Sequence, residues 1–594
     1  MERRYWSAHP IATGTSTPGF SIPRLVQVLA LVALAIHPRP ISAQIRATAA
    51  DLTGLVYDQT HSVIAGAAVT ATNLDTNQTR STTTDSEGRF TIPALTPGVY
   101  DVKAEHPGFS AQTQSGLALQ VGTQVTIEFT LRVAAIAEQV TITASTPIVD
   151  REQTAVATVI SQAQINNLPT NGRDFLSFAV ITPGVARDNT PLQGAAATSG
   201  LTFAGQRARS NNIMVDGLDN NDIVVGSVRA TFSQEAVREF QVVANSYSAE
   251  FGKASGGVVN IVTKSGTNAP AGNLFWFGRD AALNAKEYFE EFSPAGDPIT
   301  RDKAPYSQKQ YGGIFGGPIR RDKSFVFGSF ERLDIKTSNF VTIDDTTPLT
   351  LFGQPIGTAA GILRRAGFPL EVGNVPYVVT SDEALVKVDQ QLAPGQQLAV
   401  RYNYADGLNE NIEPWGGLVA RSRGAALDNV DHMAGGSYTA ILSSAVVNEL
   451  RAQYARRDQK VNALDPNCGG PCITETQGGP TLEVLGFASV GRQRLTPQPR
   501  LTDRYEVVDT FSLLRGTHQW KAGFDLNIVD HKAQALPLHF GGRYLFQTLP
   551  AIPGVLPASI SAIQAVAAGL PAAYVQGYGN SGTAYGYHDL SLFA

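Results

Sequence analysis

The stretch YSAEFGKASGGVVNIVTKSGTN, residues 247–268, divides the chain into two textures. It opens on a small polar turn, passes Gly252, Gly256 and Gly257, and becomes the β-branched run Val258-Val259-Asn260-Ile261-Val262-Thr263. Lys264-Ser265-Gly266-Thr267-Asn268 then ends it with turn formers. Paired glycines at the mouth of such a strand predict a backbone that passes close to another backbone, where a Cβ would not fit. Before this run the chain reads as small modules. After it, the chain reads as alternating strands with aromatic ends and long polar loops.

Composition narrows the class. The 594 residues exceed one ordinary core and suggest about four units at roughly 150 residues each. Charged residues make up 16%, below the ~25% usual for soluble proteins. A net charge of −5 without a basic face disfavours a nucleic-acid partner. Gly 56 and Pro 33 fit a turn-rich β protein. Arg3, Arg4 and Arg24 precede the apolar stretch Leu25–Ile36, which is too short for a membrane-spanning helix. Ile41-Ser42-Ala43 follows like a cleavage site, so residues 1–43 read as a signal peptide, with an uncleaved anchor or a buried helix as the competing reading. Later segments lack the ~18 apolar residues of a spanning helix, which leaves an exported soluble protein or a β-barrel. In an exported chain the two cysteines, Cys468 and Cys472, predict a disulfide closing one loop, since no further ligands sit at metal spacing.

Residues 51–132 carry short strands at regular spacing, the pattern of a β-sandwich. Strands are expected at Leu52–Asp58, Ala67–Asn73, Thr79–Thr84, Arg89–Leu95, Val99–Glu105 and Thr123–Arg132, with a hairpin turn at Asp85-Ser86-Glu87-Gly88. The module resembles the carboxypeptidase regulatory-like family, a transthyretin-like or carbohydrate-binding-like sandwich. Gly54–Asp58, Ile64–Val69, Thr84–Phe90, Leu95–Tyr100 and Pro107-Gly108-Phe109 carry that resemblance. It implies no peptidase chemistry.

Residues 133–147 form a linker whose β-prone core, Ile136–Ala144, could add a strand to another protein's sheet edge or simply begin the next domain. Residues 148–268 mix signals: a capped helix at Ser161–Leu168, another at Asp174–Ile181, a strand at Ile213–Leu218 and a helix-to-strand passage at Ala236–Val243. From Gly272 strands pair in hairpins: Ala384–Leu392 with Gln396–Tyr404, Ser437–Leu442 with Val446–Tyr454, and Tyr505–Leu514 with His518–Val529. One parity, including Val386, Val388, Leu398, Val400 and Tyr402, is apolar and the other is mixed polar. That is the dyad signal of a transmembrane barrel, although a soluble sandwich alternates in the same way.

The order of these regions resembles that of TonB-dependent outer-membrane transporters, and more narrowly the Oar-like group. Leu168–Phe175 with Asn171, Gly172 and Arg173 carries the resemblance, as do Thr182–Val185 and Gly205-Gln206-Arg207. Asn211–Asp219 with Asp216 and Gly217, Glu235–Val242, the opening run with Gly256 and Gly257, and Tyr311–Ile319 continue it. The resemblance implies a mainly β chain: the sandwich, a small α/β plug at 148–268, and a partial antiparallel transmembrane β-barrel at 269–594. It places a TonB box at Glu138, Gln139, Val140, Thr141, Ile142, Thr143 and Ala144, though Gln139 and Thr141 replace more hydrophobic residues common there. The partners it implies are a periplasm-spanning TonB-type energy transducer, outer-membrane lipid, and an unidentified solute such as a glycan or siderophore. About ten or eleven candidate strands follow Asn268 against roughly twenty-two in family barrels, so the expectation is the N-terminal portion of a barrel.

Other motifs read blandly. Asp216, Asp219 and Asp222 break the order of a calcium loop and are expected to be solvated turn carboxylates. Lys264-Ser265 lacks the Walker glycine, and no Gly-x-Ser-x-Gly or His-Glu-x-x-His occurs, so no catalytic constellation, metal site or cofactor is expected. Arg207 and Arg209 are expected in structural salt bridges. A secreted carbohydrate-binding or adhesion protein, and an exported enzyme with an unrecognised site, are the other classes.

Overall fold

In the computed structural model, each texture of the sequence becomes its own sheet system. The structure describes residues 48–133, 140–143, 156–168, 173, 175–187, 200–222, 228–229, 231–292, 296–413, 415–469, 478–515, 518–533 and 537–594. All of these fall within one compact unit. The sandwich comprises β1 (Ala50–Asp58), β2 (Ala68–Asn73), β3 (Thr79–Thr83), β4 (Arg89–Leu95), β5 (Gly98–Glu105), β6 (Phe109–Ser110), β7 (Gln112–Leu119) and β8 (Gln124–Val133). Its sheets run β4-β1-β8-β6 and β3-β2-β5-β7, the latter extended by β9 (Val140–Thr143). Alternate residues, among them Leu52, Val56, Val102, Leu117 and Phe129, fill the space between the sheets. Strand β7 escaped the sequence reading because its first half, Gln-Thr-Gln-Ser-Gly, shows no apolar alternation.

The plug follows as β10 (Val156–Ile160), α1 (Gln162–Asn167), β11 (Val185–Arg187), β12 (Leu201–Phe203), β13 (Asn212–Val215), β14 (Leu218–Asp219), β15 (Val237–Asn245) and β16 (Val258–Thr263). Ser161 caps α1 with a reciprocal capping box to Gln164, as the sequence indicates. Residues Phe175–Ile181 wind as a 3₁₀ helix. The plug sheet runs β10-β15-β16-β13-β14. Strand β16 is flanked on both sides, and all six of its residues are buried, which explains its unbroken β-branched run.

The third system is a wall. It begins with β17 (Ala271–Asp280), β18 (Ser307–Arg320) and β19 (Ser324–Val341). A loop carrying β20 (Leu349–Leu351), β21 (Gln354–Gly357) and α2 (Ala359–Arg365) leads to β22 (Gly373–Ala393), β23 (Gln396–Asn409), β24 (Ala425–Ser443) and β25 (Val446–Ala463). A second ordered loop carries β26 (Thr481–Val484) and β27 (Ala488–Gly491) before β28 (Gln498–Arg515) and β29 (His518–Ala533). A third carries β30 (Arg543–Phe546), α3 (Ala562–Ala567) and β31 (Ala573–Val575) before β32 (Thr583–Phe593). The ten wall strands pair antiparallel in the order β17-β18-β19-β22-β23-β24-β25-β28-β29-β32. Among the described residues the sheet is open, with β17 and β32 at its edges. Several strands begin farther out than their alternation suggests: β22 starts at Gly373 and β24 at Ala425. There both faces carry polar residues, so the ladder continues after the period-two signal has faded.

The polarity of the wall separates the two readings that alternation left open. A soluble sheet buries its apolar face. Here Val386 and Val400 are each 50% exposed, while Arg401 is 3% and Arg504 1% exposed. Leu450, Tyr505 and Phe511 also face outward, and Arg451, Gln453 and Glu506 face inward onto the plug. An apolar exterior around a polar interior is the arrangement of a membrane barrel. Val400→Arg is accordingly expected to cost about 2–4 kcal/mol in folding into lipid vesicles, provided the residue sits near the bilayer midplane. Reversible unfolding in vesicles measures this.

At one end the strands join through tight turns such as Pro394-Gly395; at the other, long loops converge. The loops are not merely polar. Ile343, Leu363 and Phe368 from one, Trp415 from a second, Leu482 and Val490 from a third, and Phe546 and Ile563 from a fourth share one hydrophobic core. A sheet of order β27-β26-β30-β31 joins two of these loops. They form an outer cap with its own interior.

Candidate functional site

The tip of the plug hairpin β13–β14 is seized by the wall. Asp216 and Gly217 turn it with φ values of 50° and 74°, the left-handed pair that an Asp-Gly hairpin turn accepts. Arg451 Nη1 donates to Gly217 O at 3.0 Å, so tightly that a Cβ on Gly217 would overlap the guanidinium. Asp216 accepts from Thr263 N and Oγ1 at 2.9 and 2.8 Å and pairs with Arg401 Nε at 3.3 Å, with Lys387 at 4.0 Å. Arg401 also donates to Val215 O at 3.2 Å.

One turn further, Asp219 pairs with Arg504 at 2.6 Å, and its backbone N–H donates to Glu506 at 3.0 Å. Lys253 lies 2.9 Å from Asp525, 3.9 Å from Asp219 and 4.0 Å from Glu506. Asp222 pairs with Arg457 at 2.8 Å, and Arg457 also holds Asp431 at 2.9 Å. Burial pushes the Asp219 carboxyl up, but Arg504, Lys253 and the Asn221 N–H outweigh it and hold the group below the usual carboxylate range. Arg229 is left over: Arg457 and Arg504 occupy the nearby carboxylates, and among the described residues neither of its terminal nitrogens has a hydrogen-bond partner. Burial, with repulsion from Arg504 and Arg457, brings its pKa down to about 10.

A second clamp holds the side of the plug facing β17 and β19. Arg173 bridges Glu235 at 2.9 Å and Glu331 at 3.4 Å, with its guanidinium over the rings of Phe275 and Phe277 at 4.4 and 4.8 Å. Ser233 donates to the same Glu331, and Lys521 pairs with Glu250. The interface is therefore largely ionic, with an apolar contact where Phe327 and Leu385 join the plug core.

Several expectations change. Asp219 and Asp222 are buried and ion-paired, and Asp216 is clamped, so none is a solvated turn carboxylate: the turn lies inside the wall. Arg207 and Arg209 are exposed and form no salt bridge among the described residues. Within the opening run, Gly256 and Gly257 do not pack against the barrel backbone. A Cβ on Gly256 would strike Asn211, and one on Gly257 the Phe203 ring, both inside the plug. The close backbone approach falls instead at Gly266, where a Cβ would overlap Val326 O and lie 2.6 Å from Gly317 O. Gly205 (φ 79°) turns an exposed corner after β12. Cys468 is disulfide-bonded. Asn171, Gly172, Cys472, Glu138, Gln139 and Ala144 lie outside the described residues, while Val140–Thr143 is strand β9. The wall cations Lys387, Arg401, Arg451, Arg457 and Arg504 went unnoticed in the sequence, although Arg401 between Val400 and Tyr402 shows their inward parity.

The sandwich is attached at the tight-turn end. Asn77 donates to Asp322 at 3.0 Å, Thr48 to Glu449 at 2.5 Å, and Val121 N–H to the buried Glu239 of the plug at 2.7 Å. Burial, partly offset by the Val121 N–H and Arg238, raises Glu239 from 4.5 to about 7. The folded state then holds this proton more tightly than the unfolded chain. Stability contributed here falls as pH rises from about 4.5 to about 7, and the penalty persists above. Glu239→Gln keeps an acceptor and is expected to flatten that decline, worth of order 3 kcal/mol at most. Limited proteolysis of the sandwich–plug junction against pH reads it. At the opposite end, beside the cap loops, a cavity of about 590 Å³ is lined by Glu371, Glu410, Arg421, Asp428, Asn462 and Asp465.

Two stretches of the chain match known protein families. Residues 51–132 match the carboxypeptidase regulatory-like domain, and residues 262–355 and 369–594 match an outer membrane beta barrel domain. The TonB-dependent transporter Oar of Myxococcus xanthus is 29% identical over 315 residues, 50% of this chain and 28% of that protein. The chain thus covers little more than a quarter of that relative's length. Among solved structures, the outer membrane transporter YddB of Escherichia coli is 12% identical with a TM-score of 0.45, covering 66% of this chain and 50% of that one. The siderophore receptor PirA of Acinetobacter baumannii is 14% identical with a TM-score of 0.41, covering 64% and 49%.

Proposed function

We propose, from the premise that this chain belongs to the outer membrane beta barrel domain family and resides in an outer membrane, that it acts in TonB-dependent uptake of a solute. The observation that carries this reading is the wall: apolar toward lipid, charged within, and gripping a plug by ion pairs. An apolar plug–wall contact would have to expose greasy surface whenever the plug moved. An ionic one can exchange each pair for water, so the plug can shift without unfolding the wall.

Solute is taken in from the side of the cap and passes the plug toward the end where the sandwich is attached. The outer membrane has no nucleotide supply, so work arrives from a periplasm-spanning transducer acting on residues 138–144. Both wall edges need strand partners within a bilayer, so transport is ascribed to the form in which β17 and β32 are paired. Arg173, Asp216 and Gly217 hold the plug in the resting state, and the disulfide at Cys468 braces the cap loop beside the cavity.

Expression with the exported leader followed by membrane fractionation tests the reading. Heat-modifiable migration in the outer-membrane fraction supports it, whereas recovery as a soluble monomer would sink it and favour the secreted carbohydrate-binding alternative. Deleting residues 138–144 is expected to leave membrane insertion intact and abolish binding of the transducer's periplasmic domain.

A further inference from the structure

The inward face of the wall changes in bulk from strand to strand. On β25 and β28 it carries long side chains, among them Arg451, Gln453, Arg457 and Arg504, that reach the plug. On β23 and β24 the inward parity that holds Arg401 and Asp431 continues, toward the tight turns, as Ala399, Ser437 and Thr439. These small residues leave a chamber of about 130 Å³ between the wall and Leu218, Val262 and Thr263 of the plug. The sandwich closes it on the tight-turn side, where Asn73, Asp75, Thr76 and Gln78 of the β2–β3 turn complete its lining. That turn is stiff. Asn73 Oδ1 accepts from the N–H groups of Asp75 and Thr76 at 2.9 and 3.1 Å, and Asn77 takes a left-handed φ of 56°. It bridges plug and wall: Asn268 N–H donates to Asp75 O at 2.9 Å, Arg238 lies 3.7 Å from the Asp75 carboxylate, and Asn77 donates to Asp322 at 3.0 Å. Thr76 Oγ1, Asp389 Oδ2 and Arg401 Nη1, from turn and wall alike, are buried along this lining without hydrogen-bond partners among the described residues. Polar atoms so placed take water as their partner, which makes the chamber a hydrated one.

We propose that this chamber is the inner leg of the solute's passage and that the β2–β3 turn is its stopper, so that solute leaves only when the sandwich lifts from the tight-turn end. The inference rests on the uptake reading above and adds where the passage runs and what shuts it. Where Arg451, Arg457 and Arg504 stand, the wall fills the space to the plug and is bonded to it. Along β23 and β24 the space is open with the plug in place. A stopper must also come away without unfolding. The turn is held from outside by one backbone bond, one side-chain bond and one long ion pair, each of which exchanges readily for water. The remaining contact is small: Ala49 and Ala94 against Val447, Thr48 to Glu449, and Val121 N–H to Glu239. The bonds that shape the turn lie within the sandwich, so it withdraws as a rigid piece of that domain.

The test places a thiol in the chamber. Ser437→Cys is made in the full chain, where no free cysteine competes among the described residues. Folded protein in detergent is then labelled with two water-soluble reagents, a small charged methanethiosulfonate and a maleimide bearing a hexose. Both are expected to react slowly while the turn is seated. Asp75→Ala with Asn77→Gly removes its side-chain ties and keeps the left-handed position that Gly accepts. Both rates should then rise about tenfold, the effect of losing two exposed contacts on a local opening. Should that double change fail to give heat-modifiable protein, Thr48→Val, which removes the bond to Glu449 in the same contact, is expected to shift both rates in the same direction. Unchanged rates would overturn the stopper. Acceleration confined to the small reagent would make the chamber a water pocket and overturn the passage. Fast labelling of the Ser437→Cys chain with its turn intact would refute the closed state while leaving the uptake reading standing. Recovery of the chain as a soluble monomer would refute uptake and passage together.

Discussion

Asp219→Ala is expected to loosen the plug by about 3–5 kcal/mol. Asp219 sits 2.6 Å from Arg504, a side chain only 1% exposed, and also faces Lys253 at 3.9 Å. Removing the carboxylate takes the ion-pair partner from the buried Arg504, while Lys253 keeps Asp525 at 2.9 Å. The cost is that of an uncompensated buried charge, not the net worth of the pair, which is much smaller. The double variant Asp219→Leu with Arg504→Met should therefore recover most of the loss. Because the Asp219 carboxyl is held below its ordinary range, its contribution is present at neutral pH and disappears as pH falls through that lowered value. Urea-dependent protease sensitivity of the plug, measured in the membrane-inserted protein, distinguishes the single from the double change. Equal loss in both would show that packing around Arg504, and not charge, sets the effect.

Gly266→Ala is expected to do comparable damage by a route that no second-site change can easily repair. The added methyl would overlap Val326 O and approach Gly317 O to 2.6 Å and Gly317 N to 3.0 Å. All three are backbone atoms of the β18–β19 ladder, so relief requires moving two paired strands. Overpacking of this kind costs roughly 1–3 kcal/mol and sometimes more where the neighbours cannot yield. Gly257→Ala meets the Phe203 ring instead, so pairing it with Phe203→Leu should restore stability. Comparing the yield of heat-modifiable protein for Gly266→Ala, Gly257→Ala and the Gly257 double variant separates the two cases. Rescue of Gly266→Ala by a side-chain substitution would contradict the backbone account.

Much of this architecture is legible in the sequence because its signals are local. The turns at Gly88 and Pro394-Gly395, the cap of α1 and the strand at Val258–Thr263 each depend on neighbouring residues and formed as expected. The wall pairs were readable because lipid and plug impose opposite demands on successive residues. The charge clamps were not. Asp216 and Arg401 are far apart in sequence, and nothing near either states that the other will face it. Asp216, Asp219 and Asp222 look like ordinary turn acids until the wall closes around them. The glycine motif shows the same limit: its close contacts were foreseen, but not that Phe203 and Asn211 of the same domain would supply them. The strand β7, which makes the docking edge for β9, is polar where it matters and so carries no pattern to read.

The outer cap has a consequence for redesign. Residues from four separate loops complete one interior, with Leu363, Trp415, Val490 and Ile563 drawn from different segments. Swapping any single loop for a foreign one would strip partners from the other three, uncovering apolar surface that nothing else shields. Transplanting a new recognition preference onto this scaffold therefore means moving all four segments together, as though they were a detachable domain that happens to be threaded through the wall in pieces.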